Sequence, residues 1–183
     1  NKIVMHEGVE CYLWKSFIHP IRLGPFESLM YHLYSFGFNS VLRDWIRDSD
    51  VIILESGVAP IFFDLIKRLN PTAKVLYRAS DALDTIDAAV YIRNTFNRIA
   101  KQFDTIVLPS KALADSIPST NNLAFVPQGI DYSAEEKANP SPYGEGIHAV
   151  SVGSMLFDPD FFVLAGKRFP NIHFHIIGSC QPR

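Results

Sequence analysis

The feature that most constrains the fold of this chain is a regular alternation of short apolar runs and amphipathic runs from residue 50 onward. The apolar runs have the length and composition of strands, and the segments between them have helical spacing. We therefore predict strands over 50–56, 73–80, 104–110 and 122–131 and helices over 59–70, 81–103 and 111–117. Because these strands are apolar along their whole length and alternate with helices, they predict a parallel sheet covered on both faces.

A polar stretch rich in Pro and Gly, 132–146, interrupts this alternation and is predicted as a linker between domains. After it the pattern restarts, with a strand over 147–154, a helix over 159–170 and a strand over 172–179. We therefore expect the C-terminal part of an N-terminal Rossmann-like domain over 1–131 and the start of a second Rossmann-like domain over 147–183. The chain begins with Asn1 and stops just after a strand, so we expect a fragment with a truncated second domain.

The first fifty residues predict two short strands around Gly8 and two consecutive helices, over 25–37 and 39–50. The first of these helices is strongly aromatic and carries Phe26, Tyr31, Tyr34 and Phe36. Packing against the sheet is the favoured interpretation. The alternative is a surface for a lipid or a lipid-linked molecule, helped by the nearby basic residues Lys15, Arg22 and Arg43.

Composition excludes several classes of protein. With 48% apolar and 20% charged residues the chain is typical of a globular protein, and its net charge of −2 gives no reason to expect a nucleic-acid partner. The two cysteines, Cys11 and Cys180, are too far apart in sequence for a CxxC motif and fit a reducing compartment. No apolar run is long enough to span a bilayer.

Histidines give no metal site in this interpretation. His173 and His175 share one face of a predicted strand, but a zinc site needs more ligands, so core or edge histidines are favoured. His6 and His19 have no assigned role. Ser110 is predicted to cap the helix that follows it.

Ligands of parallel α/β sheets bind where the strands end at their carboxyl side, and two such loops carry candidate residues. In "GSMLFD", 153–158, backbone N–H groups at a helix start could face a phosphate. The alternative is that Asp158, before Pro159, simply caps the helix, and both can hold. The spacing matches neither a dinucleotide-binding nor a Walker motif.

The other loop is "YRASDALDT", 77–85, in which Asp81 directly follows a predicted strand. Position alone favours ordinary helix-start roles, with Ser80 or Asp81 as the cap and Asp84 in the first turn. The alternative is that Asp81, at the end of a strand that faces a nucleotide loop of the second domain, takes the proton of an attacking hydroxyl group.

Four segments together resemble a known family, and the resemblance runs over essentially the whole chain. They are "SDVIILESG", "YRASDALDTI", "NPSPYGEGIHAV" and "VGSMLFDPDFFVLAGKRFP". They are similar to the xanthan-type glucuronosyltransferases of glycosyltransferase family 70, which have the GT-B fold. The resemblance implies two Rossmann-like domains with parallel sheets, the first binding mainly the acceptor and the second the UDP-sugar.

The resemblance also implies a reaction and its residues. Glucuronic acid would pass from UDP-glucuronate, with inversion and without a metal or cofactor, to a mannose-terminated polyprenyl-diphosphate-linked oligosaccharide. The enzyme would meet this acceptor as a peripheral protein at the cytoplasmic face of the bacterial inner membrane. Asp81 takes the position of the general base, and Gly153, Ser154 and Met155 take that of the nucleotide-sugar contacts. Asp84 is an additional acid that departs from the family pattern and, as a like charge, could raise the pKa of Asp81.

Two other functions stay open at this stage. A nucleotide-sugar-binding module of the same architecture would keep 153–155 and would not need Asp81, and a GT-B transferase could use another UDP-sugar. A Rossmann dehydrogenase is disfavoured because no GxGxxG follows a strand.

Overall fold

The computed structural model describes residues 3–16, 26–118, 122–129, 140–153 and 157–178. The chain divides into two compact units, Asn1–Gly129 and Ile130–Arg183, and each is described by itself. Most of the predicted linker lies outside the described residues, so the predicted domain boundaries stay a prediction.

The first unit opens with the predicted hairpin and pair of helices. Strands β1 (Ile3–His6) and β2 (Val9–Tyr12) are antiparallel. Glu7 and Gly8 connect them with positive φ angles of 49° and 82°, the backbone of a tight hairpin turn. Helices α1 (Glu27–Phe36) and α2 (Ser40–Asp48) follow, and Asn39 caps α2 by accepting a hydrogen bond from the Leu42 N–H.

A four-stranded parallel sheet forms the centre of the first unit, as predicted. Its strands are β3 (Val51–Glu55), β4 (Lys74–Arg78), β5 (Thr105–Leu108) and β6 (Leu123–Phe125), and they lie side by side in chain order. Their β-branched residues suit a pleated, buried surface. The connections contain a 3₁₀ turn (Ala59–Phe62) that leads into α3 (Phe63–Leu69), then α4 (Val90–Ile99) with a 3₁₀ extension (Ala100–Gln102), and a 3₁₀ segment (Lys111–Ser116) in place of the predicted short helix.

The hydrophobic core lies on one face of this sheet. Val75, Tyr77 and Ile106 are almost fully buried there, and the Tyr77 ring packs against Phe96 and Phe103 with centroid distances of 4.6 and 5.4 Å. On the opposite face, Val51 is 54% and Ile53 62% exposed. Leu76 and Val107 of the inner strands are half-buried on this face. The prediction that both faces are covered is therefore wrong for the edge strand β3. Continuous apolar strands show that both faces can be buried, but they do not show which segment covers each one.

The helix predicted over 81–103 begins only at Val90, so the first part of that prediction is wrong. A single turn over 83–87 ends with Asp87 at a φ of 51°. The Ala88 N–H donates to the Leu83 carbonyl at 2.8 Å, and the Asp87 N–H donates to the Asp84 carbonyl at 3.1 Å. This pair of bonds is the Schellman motif that terminates helices. The buried Ala88 and Ala89 then lead into α4, so tertiary packing overrides the helical spacing of the sequence.

The second unit contains the predicted strand, helix and strand. Strands β7 (Ile147–Val152) and β8 (Ile172–Ile177) are parallel, and α5 (Pro159–Arg168) connects them. Among the described helices of both units, none has the length and hydropathy needed to cross a membrane.

Histidines meet on these two strands in a way the sequence interpretation missed. His148 lies opposite His173 in the register, and its Nδ1 lies 2.9 Å from His175 Nε2. The Tyr143 ring stacks on His148 and His175. The rings stack rather than converge, and no group of three or more His, Cys, Asp or Glu among the described residues is placed to hold a metal ion.

Candidate active site

The loop that carries Asp81 is fixed at the carboxyl end of β4 by hydrogen bonds from both sides. The Ala79 N–H donates to the Val107 carbonyl of β5 at 2.9 Å. The Asp81 N–H donates to the Ser56 hydroxyl at 3.3 Å, and the Ser80 hydroxyl donates to the Glu55 carboxylate. The loop is therefore held to both neighbouring strands, which positions Asp81 without using its side chain.

The Asp81 carboxylate is half-buried and, within the described residues, has no hydrogen-bond or ion-pair partner. Asp81 does not cap a helix, because the turn that follows it ends at Asp87 and α4 begins nine residues later. The helix-start interpretation of Asp81 is therefore wrong. What remains is an unpaired carboxylate at a strand end, which has the free lone pairs that a proton acceptor needs.

Asp84 has a different environment from Asp81. Its Oδ1 lies 2.6 Å from the Arg93 guanidinium, and its side chain is 79% exposed. Because Arg93 carries the opposite charge, it offsets the negative charge that Asp84 would otherwise add beside Asp81. The two acids of the motif therefore differ in their partners. Asp84 forms an ion pair on the surface, and Asp81 has no partner within the described residues.

Next to Asp81 lies a cavity of about 270 Å³. Its walls come from the end of β4, the turn after it, one face of α4 and the end of the 3₁₀ segment. Five residues of α4 line the cavity. Four of them follow the helical repeat i, i+3, i+4 and i+7, namely Val90, Arg93, Asn94 and Asn97, and the fifth is the buried Phe96. Because the predicted continuous helix is interrupted before Val90, the turn and α4 are separate walls.

Tyr77 is among the residues that line this cavity and was missed by the sequence interpretation. Its side chain is 1% exposed, and its hydroxyl has no hydrogen-bond partner among the described residues. Burial raises the pKa of the Tyr77 phenol, and the negative charge of Glu55 raises it further. A buried hydroxyl without a partner costs roughly 1–3 kcal/mol. The only sequence signal is the single aromatic residue of strand β4, four residues before Asp81.

In the second unit, Gly153 ends β7 with a φ of 139°, a conformation that favours glycine. Its N–H donates to the Ile177 carbonyl at 2.9 Å, and a Cβ at Gly178 would overlap the Gly153 carbonyl. Gly178 therefore allows the two strand ends to come this close. Ser154 and Met155 lie outside the described residues, so their nucleotide role stays a prediction.

Asp158 caps α5, as one of the two interpretations predicted. Its Oδ1 accepts hydrogen bonds from the Asp160 N–H at 3.0 Å and the Phe161 N–H at 3.4 Å, with Pro159 at the first helical position. A cavity of about 350 Å³ lies between this cap and Gly153. The carboxylate already occupies the helix N-terminus, so a phosphate placed there would meet a negative charge.

The remaining candidates have structural roles or lie outside the described residues. Ser110 caps the 3₁₀ segment as predicted, by accepting from the Ala112 N–H at 3.2 Å. Cys11 is an exposed free thiol, and His6 lies on the exposed strand β1. His19, Arg22 and Cys180 lie outside the described residues.

The aromatic helix α1 divides between packing and exposure. Tyr31 is buried and Tyr34 packs against the core, which confirms the packing interpretation for these two residues. Phe26, Leu29 and Leu33 are exposed and share one face of the helix by their spacing of three and four residues. The first unit therefore presents a short apolar stripe on α1.

Comparison with known proteins places the chain in a family. Residues 1–109 match the family described as "Glucuronosyltransferase GumK, N-terminal domain". The chain belongs to this family. It is also 50% identical over 188 residues to the UDP-glucuronate:glycolipid 2-beta-glucuronosyltransferase of Xanthomonas campestris pv. campestris. That alignment covers 100% of the chain and 47% of the relative, so the chain spans about half the length of the curated relative it matches.

Membership of the GumK family confirms the resemblance found in the sequence and, with the parallel sheet, the α/β fold class of GT-B type. The family match includes Asp81 and the whole loop that holds it. Gly153 lies beyond this match and within the alignment to the relative.

Proposed function

We propose that the protein that carries this chain is an inverting glucuronosyltransferase, with UDP-glucuronate as donor and a lipid-linked oligosaccharide as acceptor. Asp81 is its general base. Membership of the GumK family and the name of the relative support the class of reaction. The observation that carries the proposal is the Asp81 carboxylate, which is half-buried, lies at a strand end beside a cavity and has no partner within the described residues.

The chemistry requires one base and a stabilised leaving group. Asp81 accepts the proton of an acceptor hydroxyl group while that oxygen forms a bond to the anomeric carbon of glucuronate. The bond from this carbon to the UDP oxygen breaks, and UDP leaves with the electron pair. Attack opposite to the leaving group inverts the anomeric centre, and no covalent enzyme intermediate is needed.

The test of Asp81 is Asp81→Asn in the complete protein, with transfer and UDP binding measured separately. General-base catalysis typically contributes roughly 10²–10⁴-fold, so we expect kcat to fall by about that factor. UDP affinity should stay close to that of the wild type. Asp64→Asn is a matched control, because Asp64 is a surface carboxylate paired with Arg98 at 2.7 Å. Wild-type turnover by Asp81→Asn would refute the assignment of the base. UDP binding without any transfer by the wild-type protein would instead favour a nucleotide-sugar-binding module.

On the donor side, we assign nucleotide-sugar contacts to Gly153, Ser154 and Met155, with no metal or cofactor. The cavity beside Gly153 and the family resemblance of "GSM" support this assignment. Because Asp158 occupies the N-terminus of α5, the contacts come from the loop rather than from that helix end. Addition of EDTA should leave transfer unchanged, and Met155→Ala should raise the KM for UDP-glucuronate. A loss of transfer with EDTA that Mg²⁺ restores would contradict the metal-independent mechanism.

On the acceptor side, we propose a mannose-terminated oligosaccharide on a polyprenyl diphosphate, met at the cytoplasmic face of the bacterial inner membrane. The exposed apolar stripe of α1, Phe26, Leu29 and Leu33, supports a peripheral contact with the lipid surface. Replacing all three by serine should reduce sedimentation with anionic liposomes. Met5→Ser with Val9→Ser, two exposed apolar residues of the hairpin, serves as control. Equal sedimentation of both variants and the wild type would show that α1 does not contribute to the contact with the lipid surface.

A further inference from the structure

The end of strand β3 contacts the loop that carries Asp81 at several points. Glu55 is the last residue of β3, and Ser56 follows it directly. The Ser56 N–H donates to the Arg78 carbonyl at 3.0 Å, and the Ser56 hydroxyl accepts from the Asp81 N–H at 3.3 Å. The Glu55 carboxylate accepts from the Ser80 hydroxyl and lies 3.5 Å from the Arg78 guanidinium. Two adjacent residues of β3 and its end therefore hold the chain on both sides of the strand end and at Asp81 itself.

The place of the Asp81 carboxylate depends on these contacts, because that side chain has no partner within the described residues. A paired carboxylate is held by its partners, whereas an unpaired one is placed by its backbone. On the other side of the loop, the bond from the Ala79 N–H to the Val107 carbonyl lies two residues before Asp81. The Ser56 hydroxyl contacts the Asp81 backbone directly, and the Glu55 carboxylate fixes the residue before it.

A general base is sensitive to its position. It must lie within hydrogen-bond reach of the proton that it accepts, and a misplacement of about 1 Å can cost about 10²-fold in rate. Side chains that lock a catalytic group into place by hydrogen bonds therefore contribute to the rate without touching the reacting atoms.

We propose that Glu55 and Ser56 are positioning residues of the transfer reaction and act through Asp81. Their hydrogen bonds to Ser80 and to the Asp81 N–H hold the carboxylate where it reaches the acceptor hydroxyl group. The inference rests on the proposed function, because it takes Asp81 as the general base.

A second carboxylate in the same sheet shows what a purely structural contact looks like. Asp104 precedes β5, accepts from the Val75 N–H at 2.9 Å and from the Lys74 ammonium at 3.0 Å, and so holds the first residues of β4. It connects two strands at the end opposite to Asp81. Glu55 and Ser56 instead hold the loop that follows β4, so removing them should affect the position of the base.

The kinetic test compares alanine with conservative variants in the complete protein. Ser56→Ala and Glu55→Ala should each lower kcat by roughly 10- to 100-fold and leave the KM for UDP-glucuronate unchanged. Ser56→Thr and Glu55→Gln keep an oxygen that can accept the hydrogen bond, so most of kcat should remain. The charge lost in Glu55→Gln matters little, because the ion pair with Arg78 is half-exposed. A fall in kcat as large in the conservative variants as in the alanine variants would overturn the inference.

Ser49→Ala and Asp104→Ala are the matched controls. The Ser49 hydroxyl donates to the Trp45 carbonyl at 2.6 Å just before β3 begins, at the other end of the strand from Ser56. Both controls should keep the wild-type kcat, and Asp104→Ala should lower the melting temperature. A loss of kcat in the controls equal to that in Ser56→Ala and Glu55→Ala would mean that kcat follows general stability, which would overturn the positioning role.

Hydrogen exchange tests the anchor without using activity. The Asp81 amide should exchange faster in Ser56→Ala, because it loses its acceptor, and at the wild-type rate in Ser56→Thr. Unchanged exchange in Ser56→Ala would overturn the inference.

A double-mutant cycle separates this inference from the proposed function. In the Asp81→Asn background, Ser56→Ala should lower the residual rate no further, because a positioning residue acts only through the base. A further fall as large as in the wild-type background would overturn the inference. Wild-type turnover by Asp81→Asn would overturn the proposed base. Inactive Asp81→Asn together with wild-type kcat in Ser56→Ala and Glu55→Ala would overturn the positioning role alone.

Discussion

The loop after β4 and the loop after β7 both leave the carboxyl end of a parallel strand, and both lead to a helix. In the second unit only six residues separate β7 from α5, and Asp158 caps the helix directly. In the first unit eleven residues separate β4 from α4, and the intervening turn ends in its own Schellman motif. The short loop uses its acid for structure, whereas the longer loop leaves Asp81 unpaired beside a cavity.

The difference shows how the same pattern of strand, acid and helix produces different sites. A capping carboxylate has its lone pairs occupied by backbone N–H groups, and protonation would weaken the helix. The Asp81 carboxylate has no such bonds within the described residues, so its protonation does not affect a helix. In the second unit, Gly153 after β7 and Gly178 after β8 instead allow two strand ends to come into contact.

Among these predictions, the largest loss of stability is expected for Gly178→Ala. The new Cβ would overlap the Gly153 carbonyl, and the φ of 150° is unfavourable for alanine, so one strand end must move. Such backbone strain alone costs on the order of 1–3 kcal/mol, and the overlap adds to it. Hydrogen exchange of the β7 and β8 amides should accelerate strongly. Gly166→Ala, in the interior of α5 with open space around it, is the control and should be neutral or stabilising.

A smaller change in stability is expected when the two acids, Asp158 and Asp81, are each replaced by alanine. Asp158→Ala removes a helix cap and should lower the free energy of unfolding by roughly 0.5–2 kcal/mol. Asp81→Ala removes a side chain without partners among the described residues and should stay within about 0.5 kcal/mol of the wild type. Urea denaturation measures both values. Equal losses of stability would mean that Asp81 also has a structural role, and the comparison between the loops would fail.

The smallest expected effect is that of Tyr77 on the pH dependence of stability. Because burial raises the pKa of its phenol above the ordinary value, the neutral form is favoured only in the folded protein. Its contribution to stability is complete below about pH 10, where tyrosine ionises in the unfolded chain, and is lost as the pH rises further. Tyr77→Phe should therefore show a shallower loss of stability above pH 10. Parallel curves for wild type and variant would contradict the buried, unpartnered state of this hydroxyl.

The order of strands and helices follows from the sequence alone, because apolar periodicity, Pro and Gly report local structure. The strands over 51–55, 74–78 and 105–108, the capping role of Asp158 and the family of the chain were all predicted correctly. The strands and the cap depend on residues that are close together in sequence, whereas the family was recognised from four segments along the chain. The sequence also identified Asp81, but only through family resemblance, since position alone favoured a helix-start role.

Tertiary structure decided what surrounds Asp81. The helix predicted from residue 81 is interrupted because Ala88 and Ala89 are buried in the core, and periodicity does not report packing between distant segments. The same packing pairs Asp84 with Arg93, buries the Tyr77 hydroxyl and turns Asn94 and Asn97 toward one cavity. Residues close together in sequence therefore determined strand β4 and the position of Asp81 after it. The cavity beside that acid exists only because residues up to 40 positions apart meet in the folded chain.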